Sequence, residues 1–187
     1  MSAVRNRDVG FATGNAVSGT PPAVVLGIDP GLVRTGYAVL RRTRSGPQLL
    51  EGGFLSSTPS LTLAERVLEI GQGMQEILRE FRPESVAIEQ IFSMPRNPKS
   101  ALLMAHARGA ILLTIAAAGL PILHYSPRQM KKLLTGSGTA SKLQVQQAVQ
   151  RELRLSQPLE PFDVADACAI AISHYHSCLF PAERSAG

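Results

Sequence analysis

The chain reads as a mixed α/β domain: a five-stranded mixed sheet with helices on both faces. Three observations predict this. Three strand-like segments follow one another near the start, joined by short turns. Two later apolar runs, SVAIE and PILHYS, each come after a long segment with helical patterning. Neighbouring strands joined by tight turns pair antiparallel, whereas strands reached through helical crossovers pair parallel, so both kinds belong to one sheet. At 187 residues, with no internal repeat, the chain suits one domain with a sizeable core.

Residues 24–29 (VVLGID) are apolar, β-branched and end on an acid. Pro30-Gly31 turns the chain, and 33–41 and 48–56 read as the second and third strands, with RSGP marking the turn between them. Apolar residues recur at helical spacing over 61–81. SVAIE (85–89) is a short buried strand that again ends on an acid. A long helix over 99–118 leads to PILHYS, the fifth strand. Helices follow at 127–134, 141–153 and 161–178, the last entered through Pro161. Residues 1–22 mix Ser, Gly, Thr, Asn and Pro without period and are expected to form a disordered leader. The domain is expected over 23–179, with a flexible tail at 180–187.

Composition is that of a soluble globular protein, 44% hydrophobic and 18% charged. No secretory signal is visible. The greasiest run, ALLMAHARGAILLTIAAAG, is interrupted by His106 and Arg108, so it is expected as a buried or interface helix rather than a membrane span. Cys168 and Cys178 read as buried free thiols in a reducing cytoplasm. The net charge of +5 favours an anionic partner. Between Glu89 and Glu152 lie 62 positions with no acid and eight bases: Arg96, Lys99, Arg108, Arg128, Lys131, Lys132, Lys142 and Arg151. This stretch is either a solvated basic face or a surface for a polyanion.

The acids are the chemical signal. Asp29 and Glu89 end two buried strands, and in open α/β sheets sites collect at the carboxyl ends of strands. Asp163 and Asp166, three apart at a helix start, share a face. Structural readings exist for some of them: Asp29 as a turn residue, Asp163 as a helix cap favoured by the dipole. Asp166 lies a turn further in, on an otherwise apolar helix, where a cap has less to offer. Four carboxylates in one cleft repel one another and rise in pKa unless cations neutralise them. Hard oxygen ligands select Mg²⁺, with Mn²⁺ able to substitute. Two such ions suit in-line hydrolysis of a phosphodiester. Setting these four acids aside leaves 19 bases against 10 acids, a balance suited to a polyanion.

GIDPGLVRTGY, VAIEQIF, RQMKKLLTGSGTASKLQVQ and DVADACAIAISH occur in that order. Together they resemble the RuvC family of bacterial Holliday-junction endonucleases. The resemblance implies a ribonuclease H-like fold, a homodimer, and paired nicks across a four-way DNA junction in recombination and repair. It assigns the metal ligands to Asp29, Glu89, Asp163 and Asp166, and DNA contacts to Phe92, Lys131 and Lys142, with Lys142 also catalytic. It further implies the branch-migration proteins RuvA and RuvB as partners. Arg96 and Lys132, from the acid-free stretch, and Arg34, in the turn after Asp29, join the DNA-binding candidates.

Other readings stay open on the residues alone. A sugar-kinase or chaperone-type ATPase also has an Asp-x-Gly loop after its first strand. A non-catalytic junction-binding protein would explain the basic stretch but not the acids. A ribonuclease or integrase would share the metal chemistry. Arg34 is read as either a phosphate contact or a solvated turn residue, and Gly31 and Gly36 as supplying hairpin angles and close DNA approach. The loop 135–142 is expected to be mobile, delivering Lys142 on binding. His174 and His176 are expected to be neutral or capping, and His106 an interface or core-edge residue.

Overall fold

Alternation along two short strands decides the layout. In the computed structural model, which describes residues 21–90 and 98–179, the elements are β1 (Val24–Asp29), β2 (Arg34–Thr43), β3 (Gly46–Ser56), α1 (Leu63–Phe81), β4 (Ser85–Glu89), α2 (Pro98–Ala117), β5 (Ile122–Tyr125), α3 (Pro127–Thr135), α4 (Lys142–Glu152) and α5 (Phe162–Leu179). The sheet order is β3-β2-β1-β4-β5. β1 pairs antiparallel with β2 and parallel with β4, and β4 pairs parallel with β5, as the connections require. Leu26, Ile28, Val86 and Ile88 point to one face and pack on Ile70 and Met74 of α1 and Ile111 and Ile115 of α2. Val25 and Ala87 point to the other, under α3, α4 and α5. With a side-chain period of two, Gly27 and Asp29 follow Val25 onto the α5 side, and Glu89 follows Ala87.

Local chemistry sets the boundaries. Thr62 and Glu65 form a capping box, so α1 begins at Leu63 rather than at 61. Ser126 with Gln129, and Ser141 with Gln144, do the same for α3 and α4. The RSGP turn is tighter than expected: β2 runs on to Thr43 and β3 starts at Gly46, whose φ of 117° only glycine adopts readily.

Helix α5 lies directly on the sheet, as its run of small residues predicts. A Cβ on Gly27 would run into the carbonyl oxygen of Ala167, and one on Gly36 into that of Asp163. Neither Gly31 nor Gly36 has positive φ. Gly36 is therefore required by helix packing and not by a hairpin angle, which corrects the expectation. A Cβ on Gly31 would meet the carbonyl of Arg34 within its own loop.

Helix α2 differs from the other four. It is long and apolar enough to cross a membrane by length and composition, and only 17% of it is buried. Its inner side, Ala107, Ile111 and Ile115, packs on α1. Leu102 and Leu113 are 64% and 72% exposed. His106 is exposed, so it belongs to the open side. Cys168 is buried and Cys178 only half-buried, both free, so the expectation of two buried thiols holds for the first alone.

Candidate active site

The parallel register Ile28↔Ile88 sets Asp29 beside Glu89 at the carboxyl edge of the sheet, and the two side chains hydrogen-bond. Thr35, fully buried, holds the loop between Asp29 and β2: its hydroxyl donates to the Gly31 carbonyl (2.7 Å) and accepts from the Gly31 N–H (3.2 Å). From the other side, α5 brings Asp166. Asp29, Glu89 and Asp166 line one pocket of about 250 Å³ together with Lys131 and Lys142.

Electrostatics in this pocket are strained. Burial pushes the Asp29 carboxyl far above the usual carboxylate range, and the hydrogen bond and charge of Glu89, then the charges of Asp166 and Asp163, push it further. Burial also raises Asp166, against the lowering effect of Lys142, whose Nζ lies 3.4 Å from Asp166 Oδ2. Lys142 is the first residue of α4, set there by the Ser141 cap. It is thus already docked on the acids rather than carried on a mobile loop, because the capping box starts the helix at that point.

Asp163 stands apart, outside the pocket lining. Three residues along a helix leave two side chains roughly 60° apart, and that offset turns Asp163 toward β2. There its Oδ2 lies 4.0 Å from Arg34 Nη1, while the Arg34 guanidinium stacks 5.1 Å from the Phe54 ring. Arg34 is thus a rim residue of the acid cluster rather than a solvated turn residue. Lys142 lies 5.9 Å from the ring centroid of Phe162. Lys131 faces the pocket, but Lys132, one step round α3, lines a separate cavity with Tyr125, Gln129 and Leu133. Phe92 and Arg96 lie outside the described residues.

Two residues here were not assigned a role from sequence. Arg108 of α2 donates from Nε to the Glu89 carbonyl (3.3 Å), and its Nη2 contacts His124 Nδ1 at 2.8 Å. Burial, then the Arg108 charge, lowers the His124 pKa, so the ring stays neutral and accepts. The signal was an arginine inside a greasy helix: such a residue needs a partner, and this one braces the strand end that carries Glu89. Of the two histidines expected to be neutral or capping, His174 is held neutral by burial, whereas His176 meets a carboxylate rather than a helix end. His174 is buried between Ser85 Oγ (2.8 Å) and the Tyr125 hydroxyl (3.1 Å), and His176 pairs with Glu152.

Comparison with known proteins agrees with this arrangement. The family model "Crossover junction endodeoxyribonuclease RuvC" matches residues 25–174. The crossover junction endodeoxyribonuclease RuvC of Rhodopirellula baltica is 48% identical over 81% of this chain and 85% of its own length. The structure of Thermus thermophilus RuvC in complex with Holliday junction substrate superposes with a TM-score of 0.77 at 36% identity, over 84% of this chain and 96% of that one. The yeast mitochondrial Holliday junction resolvase Ydc2 shares the fold, with a TM-score of 0.65 at 13% identity, over 87% of this chain and 84% of that one. On a ribonuclease H-like sheet whose strand-end acids meet the first turns of its last helix, the chain belongs to the RuvC family of crossover junction endodeoxyribonucleases.

Proposed function

We propose that the chain resolves four-way DNA junctions by hydrolysing phosphodiester bonds at the crossover, in recombination and DNA repair. One observation carries the reading: three carboxylates and two lysines share a pocket on a fold that superposes on a RuvC bound to Holliday junction substrate. Lys131 and Lys142 draw a phosphate to the pocket and hold it against the acids. Arg108 keeps the end of β4 in place, so that Glu89 stays beside Asp29. Arg34, on the rim, faces the next phosphate along the strand.

The donor set fits a hard divalent cation. All of its ligating atoms are oxygens, and burial, then the Glu89, Asp166 and Asp163 carboxylates beside it, raises the Asp29 carboxyl. Among the described residues no three such side chains stand close enough together to hold a metal, so the acids would have to draw in around one. Asp29, Glu89 and Asp166 would hold Mg²⁺, with Mn²⁺ substituting, and Asp163 joins from the rim; two ions per site belong to this reading. A divalent cation supplies Lewis-acid activation of water and charge neutralisation at the scissile phosphate.

The uncovered side of α2 suits a second copy of the chain. Small residues Ala101, Ala105 and Gly109 allow close helix approach, and Leu102 and Leu113 supply apolar surface. Ala107, by contrast, is buried on the side of α2 that packs on α1. A two-fold dimer sets two identical pockets on a substrate of matching symmetry. RuvA and RuvB belong to the same reading as branch-migration partners, and the cytoplasm as the setting.

The test is cleavage of a four-way junction beside linear duplex and RNA–DNA hybrid in Mg²⁺, with sedimentation of the same sample. Paired nicks confined to the junction, from a dimer, are expected. Equal cutting of the linear duplex would overturn junction specificity, and a monomer that still makes paired nicks would overturn the role of α2.

A further inference from the structure

We propose that the cavity between the β2–β3 hairpin and the C-terminal ends of α4 and α5 is a second, non-catalytic site that takes the phosphate of a nucleotide. It lies at the opposite end of β2 from Arg34, about 25 Å away at ~3.3 Å per strand residue. The cavity measures about 670 Å³ and is lined by four arginines, Arg42, Arg44, Arg151 and Arg154. Glu152 is the one carboxylate in the lining, and His176 Nε2 occupies its Oε1 at 2.8 Å. Planar guanidinium forks match phosphate oxygens in pairs, and a cavity of this size suits a small molecule.

Two features set it apart from a solvated basic patch. Arg42 is built into the wall: its Nε donates to the Pro22 carbonyl (3.1 Å), and its guanidinium stacks 4.4 Å from the Tyr175 ring. Its Nη2 is the buried side-chain nitrogen left without a hydrogen-bond partner among the described residues. That nitrogen is turned into the wall, so the guanidinium is fixed with its charge unmatched, and an anion in the cavity would offset that charge. Arg154 is held at a φ of 53°, and its Nη2 donates to the Ser45 carbonyl (3.2 Å), which ties the end of α4 to the hairpin. The wall is therefore formed before any ligand arrives.

An adjoining cavity of about 320 Å³ shares Thr43, Ser45, Pro47 and Arg154 and adds Gln48 beside three leucines. A basic lobe beside a second one of mixed polar and apolar lining gives room for a sugar and base joined to the phosphate. That chemistry is found in a free nucleotide and in a DNA arm leaving the junction.

Arg44 and Arg151 are exposed and outside the catalytic pocket, so Arg44→Gln with Arg151→Gln removes charge without loosening the wall. The full chain and this double variant are titrated with ADP by calorimetry. Both are then bound to junctions with short and with long arms, and melted to confirm the fold. If the source is a free nucleotide, ADP binds the parent, and the variant binds it at least tenfold more weakly at unchanged melting temperature. If the source is a DNA arm, ADP is silent and the variant loses affinity at least threefold on long-armed junctions but not on short-armed ones. ADP binding that ignores the double variant overturns the proposal. So does ADP silence combined with equal affinity on both junctions.

Discussion

Asp29→Asn should make the metal-free protein more stable while ending cleavage. Burial and three neighbouring acids push the Asp29 carboxyl from 3.8 up to about 9. Because the folded value lies above the unfolded one, the stability this group contributes is fully present below about pH 4 and is lost as pH rises toward 9. At pH 7, about three units above 3.8 and still below 9, the loss amounts to ~4 kcal/mol at ~1.36 kcal/mol per unit. The strain is shared with Glu89, and asparagine remains a buried polar group, so about half of it should return on substitution. About 2 kcal/mol raises the melting temperature of a domain this size by ~4–8 °C.

The assay is a thermal melt in chelator at two pH values, followed by the same melts in Mg²⁺. The parent should gain stability on adding Mg²⁺ through preferential binding to the folded state, and the variant should gain little. The advantage of Asn over Asp should shrink as pH falls toward 4. An Asn variant that melts at or below the parent in chelator near pH 7 would refute the reasoning. So would an advantage that does not change with pH.

Lys131→Glu should weaken junction binding and flatten its dependence on salt by about one unit of slope, whereas Lys132→Glu, on another face of α3, should leave that slope unchanged. Arg108→Gln should keep the fold and junction affinity yet slow single-turnover cleavage by roughly tenfold, since it frees the strand end behind Glu89 without touching the pocket. His174 is held neutral by burial, its pKa pushed down to about 4. Its contribution is therefore whole above pH 6.5 and lost as pH falls to 4, and His174→Phe should lessen acid sensitivity between those values in denaturant titrations. Phe92→Ala should slow cleavage at unchanged melting temperature, with Trp or Tyr restoring it, if the ring stacks on a base at the crossover.

Most of the frame was legible because strand and helix periods differ and capping residues are local. The same alternation that buries Val25 and Ala87 on the α5 side places Asp29 and Glu89 there too, so their pairing follows from counting in twos. Membership of the family then sets aside the ATPase reading that the Asp-x-Gly loop left open. The remainder depended on rotation about helix axes. Adjacent lysines 131 and 132 part company by about 100°, and no property of the pair KK tells which faces the acids. Arg108 was visible as a charge in an apolar helix, but its partner is a backbone carbonyl, which carries no sequence signature. The distal arginines escaped for a different reason. Arg42 and Arg44 lie in β2 and the turn after it, while Arg151 and Arg154 lie at the end of α4, more than a hundred residues on.

The two ion pairs at the acids explain why the pocket is stable yet ready for substrate. Lys142–Asp166 and Arg34–Asp163 each have one partner more than half exposed, with the lysine side chain 68% and the arginine 52% accessible. Pairs of that kind contribute about 0–1 kcal/mol, well short of what is needed to offset the crowding at Asp29. They hold two acids in place without neutralising the other two. Lys142 would therefore leave Asp166 for a phosphate at little expense, with the Phe162 ring 5.9 Å from its ammonium. Arg34, braced by Phe54, has the same freedom on the other side of α5. Asp29, by contrast, has no base among the groups that act on its carboxyl, which burial and the neighbouring acids raise, and a divalent cation would relieve it. Charge placed in this way would leave the pocket open to a polyanion and its strongest unmet demand to a divalent cation.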